Sequence, residues 1–276
     1  AHAACFTMAF SFACEKAGAS LVRSRLPLPL GGPQEAVDAV WRGVSSRTRV
    51  LVISHITSPT ALVLPVAELV RRAREQEILT FIDGAHAPGQ VPLDLDALGA
   101  DFYTGNCHKW LLSPKGAGFL HVRRDRQDMI EPLAVSWGWR ADQPGPSRFV
   151  DEHDWTGTRD PSACLSVPLA LAFRREHDWD RVMAGCRDLT REARRLLLAV
   201  TGQAAPCPEE PWLAQMAAVP LPPVDPVRLG TALRERHRIE VPVTMHDGKP
   251  WLRVSLQAYN SLRDIEMLVA ALRTEL

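Results

Sequence analysis

Asn106-Cys107-His108-Lys109-Trp110 follows one strand-like apolar run, and Lys115-Gly116-Ala117-Gly118 turns from it into the next. Upstream, Ile82-Asp83-Gly84-Ala85-His86 closes an earlier apolar run with a carboxylate. One strand end thus offers an acid and the next an amine. Working outward, residues 49–54 read as a fully buried strand, and residues 65–76 show helical spacing with Pro65 placed to open the helix. Residues 78–82, 100–104 and 118–122 read as three further buried strands. Continuous apolar strands separated by helices imply an α/β fold with a mainly parallel sheet covered by helices on both faces. In such sheets ligands collect beyond the carboxyl ends of the strands. Asp83, His86, His108 and Lys109 all follow strand ends.

The second half turns helical, over residues 161–175 and 180–200, and then proline-rich and irregular over 204–226 around a strand at 213–219. A helix at 227–237, strands at 239–243 and 251–256 and an amphipathic helix at 262–272 complete a smaller α/β lobe. The expected division is a large domain over residues 1–176 and a small C-terminal domain over 177–276. No internal repeat is visible.

At 276 residues and 46% apolar content, the chain has ample material for a sizeable core. Its 32 basic and 32 acidic residues leave no net field to steer it toward nucleic acid or an anionic membrane. Six scattered cysteines without a CxxC pair argue against a zinc site and a dense disulfide framework, so a reducing cytoplasm is expected. Residues 3–14 are apolar but lack a basic leader, and are read as a buried helix rather than a signal peptide. No apolar window is long enough for a membrane span. The first residue is Ala1 rather than Met, which suggests a fragment or a processed product.

A lysine and a carboxylate so placed are the pair that pyridoxal phosphate chemistry requires. The lysine holds the aldehyde as a Schiff base, and the carboxylate keeps the pyridine nitrogen protonated as an electron sink. Each residue has a plainer reading: Lys109 as a solvated lysine, Asp83 as a helix N-cap in an Asp-Gly turn, His86 and His108 as packed spacers. An Asp-His-His metal site is a further alternative on spacing alone.

The stretch from Asp101-Phe102-Tyr103 through Lys109 to Gly116-Ala117-Gly118-Phe119-Leu120, with Asp83-Gly84-Ala85-His86 upstream, resembles the class V aminotransferase family of pyridoxal phosphate enzymes. Ser54-His55-Ile56-Thr57-Ser58-Pro59-Thr60, His86-Ala87-Pro88-Gly89-Gln90 and Asn106-Cys107-His108-Lys109-Trp110 most resemble its isopenicillin N epimerase-like branch. The likeness runs from near residue 2 to about residue 270. It implies fold type I, with residues 1–176 as the cofactor-binding large domain, and the family's N-terminal segment has no counterpart in this sequence.

The resemblance also implies roles. Lys109 is the Schiff-base lysine and Asp83 the partner of the pyridinium nitrogen. His86 faces the cofactor's phenolic oxygen, His108 lies beside the phosphate, and His2 falls where the family stacks an aromatic ring on the cofactor. Asn106 and Cys107 stand where the family usually has small residues, with Asn106 still a cofactor-binding candidate. Gly157-Thr158 resembles the turn that reaches the phosphate of the neighbouring subunit, which implies a homodimer with a shared active site. Arg253, in Trp251-Leu252-Arg253-Val254-Ser255, is the candidate grip on the substrate carboxylate, since a guanidinium binds that group bidentately. Ser58 is a second candidate near the substrate.

The activity so implied is chemistry at Cα of an amino acid: epimerisation, transamination, or a lyase-type elimination. A cysteine desulfurase is disfavoured, because no Cys lies between Cys207 and Arg253 to act as the nucleophile. The alternative from another class is a truncated, inactive member serving as a binding or dimerisation module.

Overall fold

The apolar runs become strands where β-branched and aromatic side chains can be covered on both sides. A computed structural model describes residues 2–276, with side chains from Met8 onward, so the His2 side chain lies outside the described residues. The chain divides into two compact units, one of residues 49–53 and 70–175, the other of residues 1–48, 54–69 and 176–276.

In the first unit, β1 (Val50–Ser54), β2 (Leu79–Gly84), β3 (Phe102–Asn106) and β4 (Gly118–Val122) form, among the described residues, a four-stranded sheet in the order β1-β2-β3-β4. β2 and β3 run parallel, with Asp83 opposite Thr104 and Gly84 opposite Gly105. The helix Leu95–Leu98 lies between them in sequence; Asp94 caps it by accepting the Ala97 N–H at 2.9 Å. β4, expected within a mainly parallel sheet, pairs antiparallel with β3. Its connection, residues 107–117, holds no helix to carry a crossover, so the chain can only fold straight back. Exposure alternates along β4, as suits an antiparallel edge with one face open.

The β2–β3 register is held at its amino-terminal end by Asp101, which is buried. Its Oδ2 accepts the Thr80 N–H at 2.9 Å and the Thr80 hydroxyl at 3.0 Å, and its own N–H donates to Thr80 Oγ1 at 3.0 Å. Its Oδ1 accepts from Arg126 Nε at 3.0 Å and lies 3.1 Å from Arg123 Nη2. Burial works to raise this carboxyl's pKa, but the Thr80 and Arg126 hydrogen bonds and the Arg123 charge outweigh it and hold the group below its ordinary value.

In the other unit, β5 (Met216–Pro220), β6 (Val243–His246) and β7 (Lys249–Ser255) form an antiparallel sheet in the order β5-β7-β6. Leu197, Leu233, Leu252, Leu268 and Leu272 meet in its core, supplied by β7 and by the helices Trp179–Thr201, Pro226–His237 and Leu262–Glu275. Local capping fixes where these helices begin. The Asp225 carboxylate accepts the Val227 and Arg228 N–H groups with Pro226 in the first turn, and Ser261 with Asp264 forms a capping box.

Two local expectations are corrected. The strand expected at 239–243 starts only at Val243, because Arg238 takes a left-handed conformation (φ 59°) and the Ile239 N–H returns to Leu233 O at 2.9 Å, closing the preceding helix. From there Asp247 (φ 47°) and Gly248 (φ 74°) make the mirror-image turn that suits the twist of a hairpin. The apolar run at 3–14 does lie in a helix, His2–Lys16, but Met8 and Phe12 are exposed rather than buried.

Asp101→Ala strips the register clamp and leaves two arginines facing a partly buried site. It is expected to lower the free energy of unfolding by about 3 kcal/mol, measured by urea titration.

Candidate active site

Because β2 and β3 are parallel and in register, the turns that follow them leave the same edge of the sheet. Asp83 is the second-to-last residue of β2, and His86 lies in the turn beyond; Asn106 closes β3, and His108 and Lys109 lie in the turn beyond that. Thus the first unit brings Asp83, His86, Asn106, His108 and Lys109 to the carboxyl ends of two neighbouring strands. Asp83 is buried and its Oδ1 accepts the Ala85 N–H at 3.0 Å, so the carboxylate shapes its own turn; no helix starts there for it to cap. The Tyr103 ring, itself fully buried, fills the space over Gly84, where a Cβ would come within 2.1 Å of it, and stacks on Phe119 at 6.3 Å. Burial, with the negative charge of Asp83 beside it, pushes the Tyr103 hydroxyl pKa up, so it stays protonated.

The two turns are stitched together by Trp110. Its indole Nε1 donates to His86 Nδ1 at 3.4 Å. An indole N–H can only donate, so Nδ1 of His86 is an acceptor and the neutral ring carries its proton on Nε2. The Trp110 carbonyl accepts from Arg174 Nη1 at 2.8 Å, and Nη2 of the same arginine reaches Gly89 O at 3.4 Å. Gly89 (φ 89°) passes so close that a Cβ would lie 2.5 Å from that Trp110 oxygen, which only glycine permits. Arg174 was not anticipated, and no local motif marks it.

His108 is fixed by Ala117. Its Nδ1 donates to the Ala117 carbonyl at 2.6 Å, and the Cys107 and His108 N–H groups reach the same oxygen at 3.1 and 3.3 Å. Nε2 therefore accepts when the ring is neutral and donates only when it is protonated. Lys109 is half-buried in this turn. The Cys107 thiol is buried, and burial first, then the nearby Cys164, pushes its pKa up, which disfavours a nucleophilic thiolate. Thr158 is exposed in the bend that follows the helix Arg148–Asp154. Among the described residues no group of three or more His, Cys, Asp or Glu is placed to hold a metal ion.

The other unit holds Ser58 and Arg253. Arg253 projects from β7, and its Nη1 donates to Ser58 O at 2.7 Å and to Ser58 Oγ at 2.9 Å. Its Nε is buried without a hydrogen-bond partner, and burial pulls the guanidinium pKa below its ordinary value. Close by in sequence, burial lowers the His55 pKa from 6.5 to about 4, so this histidine is neutral near pH 7.

The sequence matches the family described as Aminotransferase class-V over residues 2–268. It is 41% identical over 261 residues to isopenicillin N epimerase of Amycolatopsis lactamdurans, covering 90% of this chain and 66% of that protein. To isopenicillin N epimerase of Streptomyces clavuligerus it is 39% identical over 267 residues, covering 92% and 67%. To a probable chloroplastic L-cysteine desulfhydrase of Arabidopsis thaliana it is 32% identical over 281 residues, covering 92% and 58%. The chain thus spans about two thirds or less of the length of these curated relatives. In structure it resembles the apo cysteine desulfurase of Thermococcus onnurineus, with a TM-score of 0.77 at 18% identity over 96% of this chain and 68% of that one. It also resembles the cysteine desulfurase CsdA of Escherichia coli, with a TM-score of 0.73 at 20% identity over 95% and 67%. The fold is that of fold type I pyridoxal phosphate enzymes, a mainly parallel sheet with helices, as the sequence led one to expect. The amine, carboxylate and imidazoles beyond β2 and β3 are a donor set that fits this cofactor.

A histidine whose folded-state pKa lies below its unfolded value stabilises the fold above pH 6.5 and loses that contribution as the pH falls toward 4. Urea unfolding between pH 7 and pH 4 should therefore show a loss of up to about 3 kcal/mol that His55→Gln reduces.

Proposed function

Because this chain belongs to the class-V aminotransferase family, we propose that it carries the chemistry of a pyridoxal-phosphate-dependent enzyme acting at Cα of an amino acid, in the manner of an isopenicillin N epimerase. The observation that carries this reading is the pairing of Asp83 and Lys109 beyond the ends of adjacent parallel strands. The greater likeness to the epimerases than to the desulfhydrase supports the choice of reaction.

Bound there, pyridoxal phosphate supplies an electron sink for the bond broken at Cα. Asp83 holds a proton on the ring nitrogen, since a charge-assisted hydrogen bond favours the protonated ring. Lys109 would tether the cofactor through its amine and, once free, would take the Cα proton; delivery of a proton to the opposite face by a second acid would give the epimer. His86 offers its Nε2–H to the phenolic oxygen. His108, with Nδ1 committed to Ala117, has Nε2 left to face the phosphate. Asn106 is a further candidate contact of the cofactor, and Arg253 grips the substrate carboxylate.

The active form is a homodimer in which Thr158 reaches the partner's phosphate. The exposure of Leu133, Val135, Trp137 and Trp139 in the same unit as Thr158 supports burial against a second copy. The scattered free cysteines support a reducing, cytoplasmic setting. Among the described residues no helix is long and apolar enough to cross a membrane. A second reading, a carbon–sulfur lyase without a persulfide intermediate, is supported by the likeness to the desulfhydrase.

Purified protein given pyridoxal phosphate should gain the visible absorbance of the bound cofactor. Lys109→Ala should abolish that absorbance and lower turnover of a panel of amino acids by about a thousandfold or more. Chiral analysis, keto-acid detection and sulfide detection separate epimerase, aminotransferase and lyase. Absence of the absorbance, or full binding by Lys109→Ala, contradicts the proposal.

A further inference from the structure

Arg253 does not present its whole guanidinium to a ligand. Both protons of Nη1 are directed at one residue, to Ser58 O at 2.7 Å and Ser58 Oγ at 2.9 Å. A carboxylate can take a guanidinium end-on, across Nη1 and Nη2, or side-on, across Nε and Nη2. With Nη1 committed, the end-on fork is closed. The side-on fork keeps a buried Nε–H that has no hydrogen-bond partner, a donor whose desolvation only an incoming acceptor would offset.

Ser58 is built to hold this arrangement. It precedes Pro59, which restricts its backbone to extended conformations. Its turn is closed by Thr57: the Thr57 Oγ1 lies 2.7 Å from Thr60 Oγ1 and accepts the Leu62 N–H at 2.8 Å, while the Thr57 N–H donates to Leu62 O at 2.9 Å. On the other side, the Arg253 backbone is fixed in β7 opposite Ala218, and its N–H donates to Pro242 O at 3.1 Å. Two fixed backbones thus set the plane of one guanidinium.

We propose that Ser58 is a positioning residue that orients Arg253 so that the substrate carboxylate is received side-on, by Nε and Nη2. This assigns Ser58 a role behind the arginine, in place of the substrate contact expected from sequence, and it rests on Arg253 being the carboxylate grip. A fixed side-on fork orients the carboxylate about one axis, and with it the amino group and Cα of the substrate.

The test titrates cofactor-loaded protein with L-alanine and with L-alaninamide, which lacks the charge, following the visible spectrum. Ser58→Ala should raise the half-saturating concentration of L-alanine about tenfold and leave that of L-alaninamide and the cofactor content unchanged. Ser58→Thr, which keeps the hydroxyl, should restore most of the loss. Arg253→Lys should weaken L-alanine alone and by more, since it removes the fork. If Arg253→Lys has this effect but Ser58→Ala does not, the positioning role is overturned and the carboxylate grip stands. If Arg253→Lys leaves L-alanine unaffected, or L-alanine gives no saturable change at all, the reading of Arg253 fails and the inference fails with it. An equal weakening of both probes by Ser58→Ala reduces Ser58 to a structural residue and overturns the proposal.

Discussion

The parallel register of β2 and β3 is the constraint on which the candidate site depends. Asp83 and Lys109 are far apart in local structure, yet pairing Asp83 with Thr104 and Gly84 with Gly105 puts the turns beyond both strands at one edge. A slip of one residue would turn every side chain of β2 to the other face and carry Asp83 with it. The slip is opposed at the other end of the pair, where Asp101 and Thr80 exchange three hydrogen bonds. One buried carboxylate thereby fixes where another, Asp83, stands.

Register alone positions strand ends, not the side chains beyond them. Those are set by contacts across the two turns: Trp110 to His86 by its indole, Trp110 to Arg174 by its carbonyl, and Gly89 packed against the same oxygen. These contacts also settle proton positions. His86 keeps its neutral-state proton on Nε2 because the indole takes Nδ1, and His108 loses Nδ1 as a ligand donor because Ala117 takes it. Two histidines in neighbouring turns therefore differ in the neutral state, His86 with a donor at Nε2 and His108 with an acceptor there.

What could be read from sequence followed from short-range patterns. Buried strands announced themselves as apolar runs, and strand ends announced themselves by the Asp83-Gly84 dipeptide that ends β2 and the His108-Lys109 dipeptide beyond β3. The direction of β4 was less visible, since it depends on what residues 107–117 fail to contain. The Asp247-Gly248 turn was a readable hairpin signal that would have moved β6 to its observed place. Arg174 carried no signal at all. It lies 85 residues from Gly89, and only packing brings the two together. Ser58 was visible as a polar residue in a distinctive motif, but its hydrogen bonds to Arg253 were not, because sequence does not tell which side of an arginine a serine occupies.

The central claim is that Asp83 and Lys109 grip the same heterocycle. A crystal structure of the protein with pyridoxal phosphate tests it most directly. The account predicts density continuous from Lys109 Nζ into the cofactor, with the ring nitrogen within hydrogen-bond distance of the Asp83 carboxylate. A cofactor joined to another lysine, or a ring nitrogen facing away from Asp83, would contradict it.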